Sequence, residues 1–121
     1  MNAYEIPDLR FSLPAGGAIA RFRFISVGAN STAVQATATT PVIGVSMNAV
    51  VTNAGVTAAQ QIAEIATGLI QVEAGGVVAV GVRVVSNADG KAIALTNEPF
   101  AAGVAITNAA AAGDLITVKI A

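Results

Sequence analysis

Apolar and polar positions alternate with a period of two over much of the chain. Ile19, Arg21, Arg23 and Ile25 fall on one face of an extended segment and Ala20, Phe22 and Phe24 on the other, the phenylalanine face being the one directed at a core. The segment closes at Gly28-Ala29-Asn30-Ser31, and a similar Val-rich segment closes at Asn87-Ala88-Asp89-Gly90, where Asp-Gly tolerates the positive φ of a tight hairpin. Further strands are predicted at residues 33–37, 42–48, 69–73, 91–96 and 101–107, with turns at Asn53-Ala54-Gly55 and Ala111-Ala112-Gly113-Asp114. Between them, Thr57-Ala58-Ala59-Gln60 matches a capping box that would open a short helix over residues 60–66, whereas strand is favoured there by comparison with the alternating Ile116-Thr117-Val118-Lys119-Ile120. Thr67-Gly68 then reads as a bend.

The pattern occurs twice. Residues 15–45 align without a gap on residues 74–104, an offset of 59, with nine identities that include Ala15-Gly16-Gly17 on Ala74-Gly75-Gly76 and Gly44-Val45 on Gly103-Val104. Beyond Val45 the copies continue with small indels, and Glu64 falls opposite Lys119 in that continuation. The expectation is an all-β domain, a compact β-barrel or sandwich built from two tandem β repeats (15–73 and 74–121) that share one core. Residues 1–14 stand outside the repeat as an extended N-terminal arm. Tyr4, Ile6, Leu9, Phe11 and Leu13 make it the one stretch rich in large apolar side chains. Such an arm either adds to the sheet edge of a neighbour or packs on its own domain.

Composition narrows the function more than the fold. Of the 121 residues 55% are hydrophobic, dominated by Ala and Val, with 4% aromatic and no Trp. These side chains bury little area each, and assembly is one way to recover the deficit. Only 11% are charged, none between Arg23 and Glu64, and a weakly charged surface suits contact with copies of itself or with a large partner. Mean hydropathy is +0.72, yet every apolar run is cut within about ten residues, short of the ~20 a membrane helix needs. With no secretory pattern at Met1-Asn2-Ala3-Tyr4, the reading is a soluble chain made in a cytoplasm. A net charge of −1 gives no general attraction to nucleic acid.

Chemistry is sparse. The absence of His and Cys removes the usual general base, thiol nucleophiles and the commonest metal ligands, so no cofactor, metal or catalytic residue is expected. Asp89 and Asp114 neighbour turn glycines and read as turn formers, and Glu64 and Lys119 as solvated strand residues. Gly16-Gly17 and Gly75-Gly76 lack the spacing of a phosphate loop. Arg21, Arg23 and Arg83 are candidates for a small basic patch that meets an acidic partner face.

The run from Glu73-Ala74-Gly75-Gly76 through Val84-Val85-Ser86-Asn87-Ala88-Asp89-Gly90-Lys91, then Ala102-Gly103-Val104-Ala105 and Ala112-Gly113-Asp114-Leu115, resembles the capsid decoration or cement proteins of tailed bacteriophages. It departs from them at Val82, where many relatives carry Asp, and in the weaker strand character of residues 60–66. The resemblance implies a non-enzymatic homo-oligomer, trimer favoured over dimer, that binds the major capsid protein at capsomer junctions on the capsid exterior and stabilises the head. Many weak contacts repeated on a symmetric lattice would supply avidity without a catalytic group. On this reading Tyr4, Ile6, Leu9, Phe11, Leu13, Arg21, Arg23 and Arg83 contact the capsid or a sister subunit, with no part for nucleic acid or membrane. The alternatives are a tail or neck component, and a host-attachment or carbohydrate-binding module.

Overall fold

A computed structural model of the chain describes residues 3–52 and 57–120. The predicted turn at Asn53-Ala54-Gly55 lies outside the described residues. The fold is all-β. Among the described residues nine strands form one antiparallel sheet that curls into a half-barrel: β1 (Ile6–Pro14), β2 (Phe24–Val27), β3 (Ala33–Gln35), β4 (Gly44–Ser46), β5 (Ile62–Glu73), β6 (Arg83–Ser86), β7 (Ala92–Ala94), β8 (Gly103–Ala105) and β9 (Leu115–Ile120). The order is β3-β2-β4-β5-β9-β8-β6-β7, with β1 added at β5. β5 is the spine. Its residues 62–69 pair with β1 along one edge, while β4 (at Ile65 and Ala66) and then β9 (from Gly68 to Glu73) share the other.

The 59-residue offset reappears in the hydrogen bonding. Gly16 N donates to Ala33 O and Gly75 N to Ala92 O, both at 2.8 Å, and the bridges Ile19–Val50 and Val78–Ala109 hold the same spacing. The unusual backbone recurs as well. Phe22 (φ 65) corresponds to Gly81 (φ 84), and Ser31 (φ 58) to Gly90 (φ 78), so one copy places glycine where the other forces an L side chain into the left-handed region. The expected strand over residues 19–25 is therefore broken: positive φ at Phe22 makes a turn, and only Phe24–Val27 pairs as β2. Phe22 is half-buried, whereas Phe24 and Ile25 are both buried, because β2 is covered on both faces.

After β4 and β8 the offset falls from 59 to 53, since the connection over residues 47–61 is six longer than that over 106–114. Val45 pairs with Ala66 as Val104 pairs with Lys119. Lys119 thus matches Ala66, and Glu64 matches Thr117, which corrects the expected pairing of Glu64 with Lys119. The capping box at Thr57 and Gln60 forms, but it closes a single 3-10 turn (Ala58–Gln60) and no longer helix. The β-branched and alternating run after it is strand, continuous through Gly68, so no bend divides residues 62–73 into two strands.

Seven core positions of the first copy, Ala15, Ile19, Ile25, Ala33, Val50, Ala63 and Ile65, form one buried cluster. Their counterparts Ala74, Val78, Val84, Ala92, Ala109, Ile116 and Val118 all lie in a second. The two clusters are covered differently. The first copy's reverse face, Phe24, Ala36, Val45 and Ala66, packs into the core of the second copy. The core of the first copy is covered instead by Phe11 and Leu13 of β1, with Ile43 and Ala58. The N-terminal segment packs on its own chain as a strand, and of the two options open from sequence it takes the second. Burial of apolar area on both faces of a thin, Ala/Val-rich sheet is how small side chains assemble a core here.

Candidate interaction surface

The two copies are joined by a polar seam. Phe24 N donates to Gly90 O at 2.7 Å and Glu73 N to Phe22 O at 2.9 Å. The Arg23 guanidinium reaches Glu73 at 3.2 Å and Asp89 O at 3.3 Å, and Gln35 Nε2 donates to the same carbonyl at 3.3 Å. Lys91 Nζ completes a triad with Glu73 at 3.1 Å. Burial pushes the Glu73 carboxyl up, but the hydrogen bonds and charges of Lys91 and Arg23 outweigh it and hold the group below the ordinary carboxylate range. Asp114 does act as a turn former, its Oδ2 accepting from Ala110 N and Ala111 N; at the other turn Asn87 Oδ1 takes that role, accepting from Asp89 N and Lys91 N.

The residues singled out from sequence have separate surroundings. Tyr4 is tied by its backbone to Thr117, whose hydroxyl accepts from Tyr4 N and donates to Tyr4 O, each at 2.6 Å. Phe11 and Leu13 turn inward, while Ile6 (61% exposed) and Leu9 (57%) turn outward. Arg23 is consumed by the seam. Arg21 is exposed and stacks on Phe22, 4.6 Å from the ring centroid. Arg83 is exposed, and strand register gives it companions that sequence reading missed.

Arg83 pairs with Val104, Val104 with Lys119, Lys119 with Leu69, and Leu69 with Ile6. Directly opposed residues share a face, so these five make one row across β6, β8, β9, β5 and β1. Arg83, Val104, Lys119 and Ile6 are exposed and Leu69 is half-buried. At one end of the row Arg83 and Lys119 flank a depression of about 270 Å3, floored by Ala101, Ala102, Gly103 and Val104. Gly103 pairs with the core residue Val84, so its missing side chain concerns the buried face of β8 and not the depression. A Cβ on Gly103 would collide with Lys119 O and lie 2.9 Å from Val118 Cγ1. The signal for Lys119 was its alignment with Ala66, hidden until the 53-residue offset is used. A second, larger open groove of about 530 Å3 is lined by Ile19, Arg21, Gln35, Val50 and Thr52 among others, and the Gln35 side chain there is already engaged with Ala20 N and Asp89 O. Among the described residues no three Asp or Glu carboxylates come together as a metal site would need.

No protein-family model matches the sequence, and no curated protein does. The fold is similar to the crystal structure of the head fiber gp8.5 N base of bacteriophage phi29, with a TM-score of 0.72, 19% sequence identity, and 93% of each chain covered.

Proposed function

We propose that this chain is a structural protein of a bacteriophage head that binds the outer surface of the shell at capsomer junctions and stabilises it, as a homo-oligomer, trimer favoured, without enzymatic activity. The observation that carries the reading is the match over 93% of both chains to a protein whose description places it in a head fiber base. The turn and composition pattern that resembles decoration proteins supports it independently. So does a weakly charged, mixed surface carrying Ile6 and Leu9 outward, of the kind that makes many weak contacts on a lattice. A tail or neck position is the second reading, and location in the particle separates the two.

The test is co-sedimentation of the purified protein with heads of its own phage stripped of it, counting copies bound per head. Saturable binding at a simple multiple of the capsomer junctions is expected; binding to tails alone would overturn the assignment. Ile6→Ser with Leu9→Ser, which leaves Phe11 and Leu13 in the core, is expected to weaken binding by about tenfold or more, from the apolar area withdrawn. Unchanged affinity would remove the N-terminal strand from the contact.

A further inference from the structure

The two copies bury their reverse faces unequally. In the first copy the row Phe24–Val45–Ala66 is fully buried against the core of the second. The equivalent row in the second copy is Arg83–Val104–Lys119, exposed, concave at its centre and continued by Leu69 and Ile6. From this we infer that the Arg83–Val104–Lys119 depression is the docking site for a carboxylate-bearing segment of a different protein, with an Asp or Glu between the two cations and a small aliphatic neighbour on the Val104 floor. The identity of that protein as the phage shell rests on the function proposed above.

Among the described residues the chain leaves no second core open to receive this face. What covers this face in the first copy is the core of the second, and the corresponding core of the first is already closed by Phe11 and Leu13. A second copy therefore offers no open core to this face. Three of the chain's carboxylates are engaged elsewhere: Glu5 accepts from Gln71 N, Glu73 pairs with Arg23 and Lys91, and Glu98 is bound by Thr96 and Asn97, whose backbone N–H groups, Thr96 first, hold it below its ordinary range. Among the described residues, Arg83 and Lys119 make no ion pair.

Geometry then selects the ligand. Arg83 and Lys119 stand two strand spacings apart, about 10 Å between backbones, with Val104 between them. Long side chains from both sides reach a single carboxylate over the valine, Arg83 as a planar fork and Lys119 as a point charge. Two cations on a chain of net charge −1 are too few to hold a nucleic-acid backbone, whose affinity grows with each phosphate neutralised.

The experiment compares wild type, Arg83→Glu with Lys119→Glu, and an equal-charge control that places four glutamates away from the row (Ala29→Glu, Thr39→Glu, Ala49→Glu and Asn108→Glu), in co-sedimentation with stripped heads at two salt concentrations. All changed residues are exposed, and circular dichroism checks that each variant folds. Wild type and control are expected to bind alike, and the Arg83/Lys119 variant to lose at least about tenfold in affinity, with most of the salt dependence. If that variant binds as wild type does, the docking site is wrong while the head function stands. If wild type itself fails to sediment, the head function falls, and the site is decided by photocrosslinking of Val104→p-benzoylphenylalanine in infected cells. A crosslink to one defined virion protein, abolished by Arg83→Glu with Lys119→Glu, retains the site; crosslinks only between copies of this chain, or none, overturn it.

Discussion

Phe24 and Arg83 occupy the same position in the two copies, and substituting each by alanine tests whether the copies are stacked as described. Phe24 is the largest fully buried side chain, 0% exposed, and it projects from the first copy into the core of the second. Phe→Ala at such a site removes the transfer free energy of the ring and leaves a cavity, together about 3–5 kcal/mol. The surrounding Ala and Val side chains are short, which limits how far they can collapse into the space and favours the upper half of that range. At about 3–5 °C per kcal/mol for a chain of this size, Phe24→Ala should lower Tm by about 10–20 °C. Arg83→Ala removes an exposed side chain and should stay within about 0.5 kcal/mol. Urea unfolding followed by circular dichroism, with calorimetry for Tm, measures both. A Phe24→Ala cost under about 1 kcal/mol, or an Arg83→Ala cost of similar size to that of Phe24→Ala, would refute the claim that only one of the two reverse faces is buried.

Two further outcomes follow from the seam and from the close strand contacts at Gly44 and Gly103. Glu73 has a folded-state pKa below its unfolded value, so its stabilisation is present at neutral pH and is lost as pH falls through the unfolded value toward the folded one; Glu73→Gln should flatten the acid side of the stability–pH curve and leave the alkaline side unchanged, and an unaltered acid limb would reject the triad as its source. Gly44→Ala and Gly103→Ala should each cost about 1–3 kcal/mol, because the new Cβ meets Ala66 O at 2.7 Å in one case and Lys119 O in the other. Gly17→Ala and Gly76→Ala, which open onto free space, should stay within about 0.5 kcal/mol in the same denaturant titrations.

The fold class and the 59-residue spacing were legible because period-two alternation and turn glycines are local signals, and the hairpins at Gly28–Ser31 and Asn87–Gly90 sit where those signals put them. The turn at Phe22 was not, since nothing in a Phe flanked by arginines announces a positive φ; only Gly81 at the matching position carries the hint. The slip of Glu64 against Lys119 has a similar origin. Loop length is free to change without altering the pattern of the strands it joins, so six extra residues before β5 displaced the alignment while leaving both strands looking alike. That slip concealed the row. With Lys119 set against Glu64 it reads as a solvated charge, and with Lys119 set against Ala66 it reads as a core position that has become cationic. The partition of Arg21, Arg23 and Arg83 among a ring, a seam and a depression depends on contacts between distant strands, which no local pattern records.

A duplicated unit that buries its reverse face in the next unit carries an obvious hazard, because the last reverse face would seek another copy and the stack would grow without closure. This chain closes the stack at both ends by different means. At the first core it adds β1, whose Phe11 and Leu13 occupy the space that another copy's reverse face would fill. At the second reverse face it replaces Phe24 and Ala66 with Arg83 and Lys119 and keeps Val45 as Val104, so that two charges bracket one apolar position. A cap serving solubility alone would gain more from mixed-sign charges spread over the face than from two cations on a concave apolar floor. Retention of an apolar floor between two cations is what the inferred docking site has beyond a simple stop.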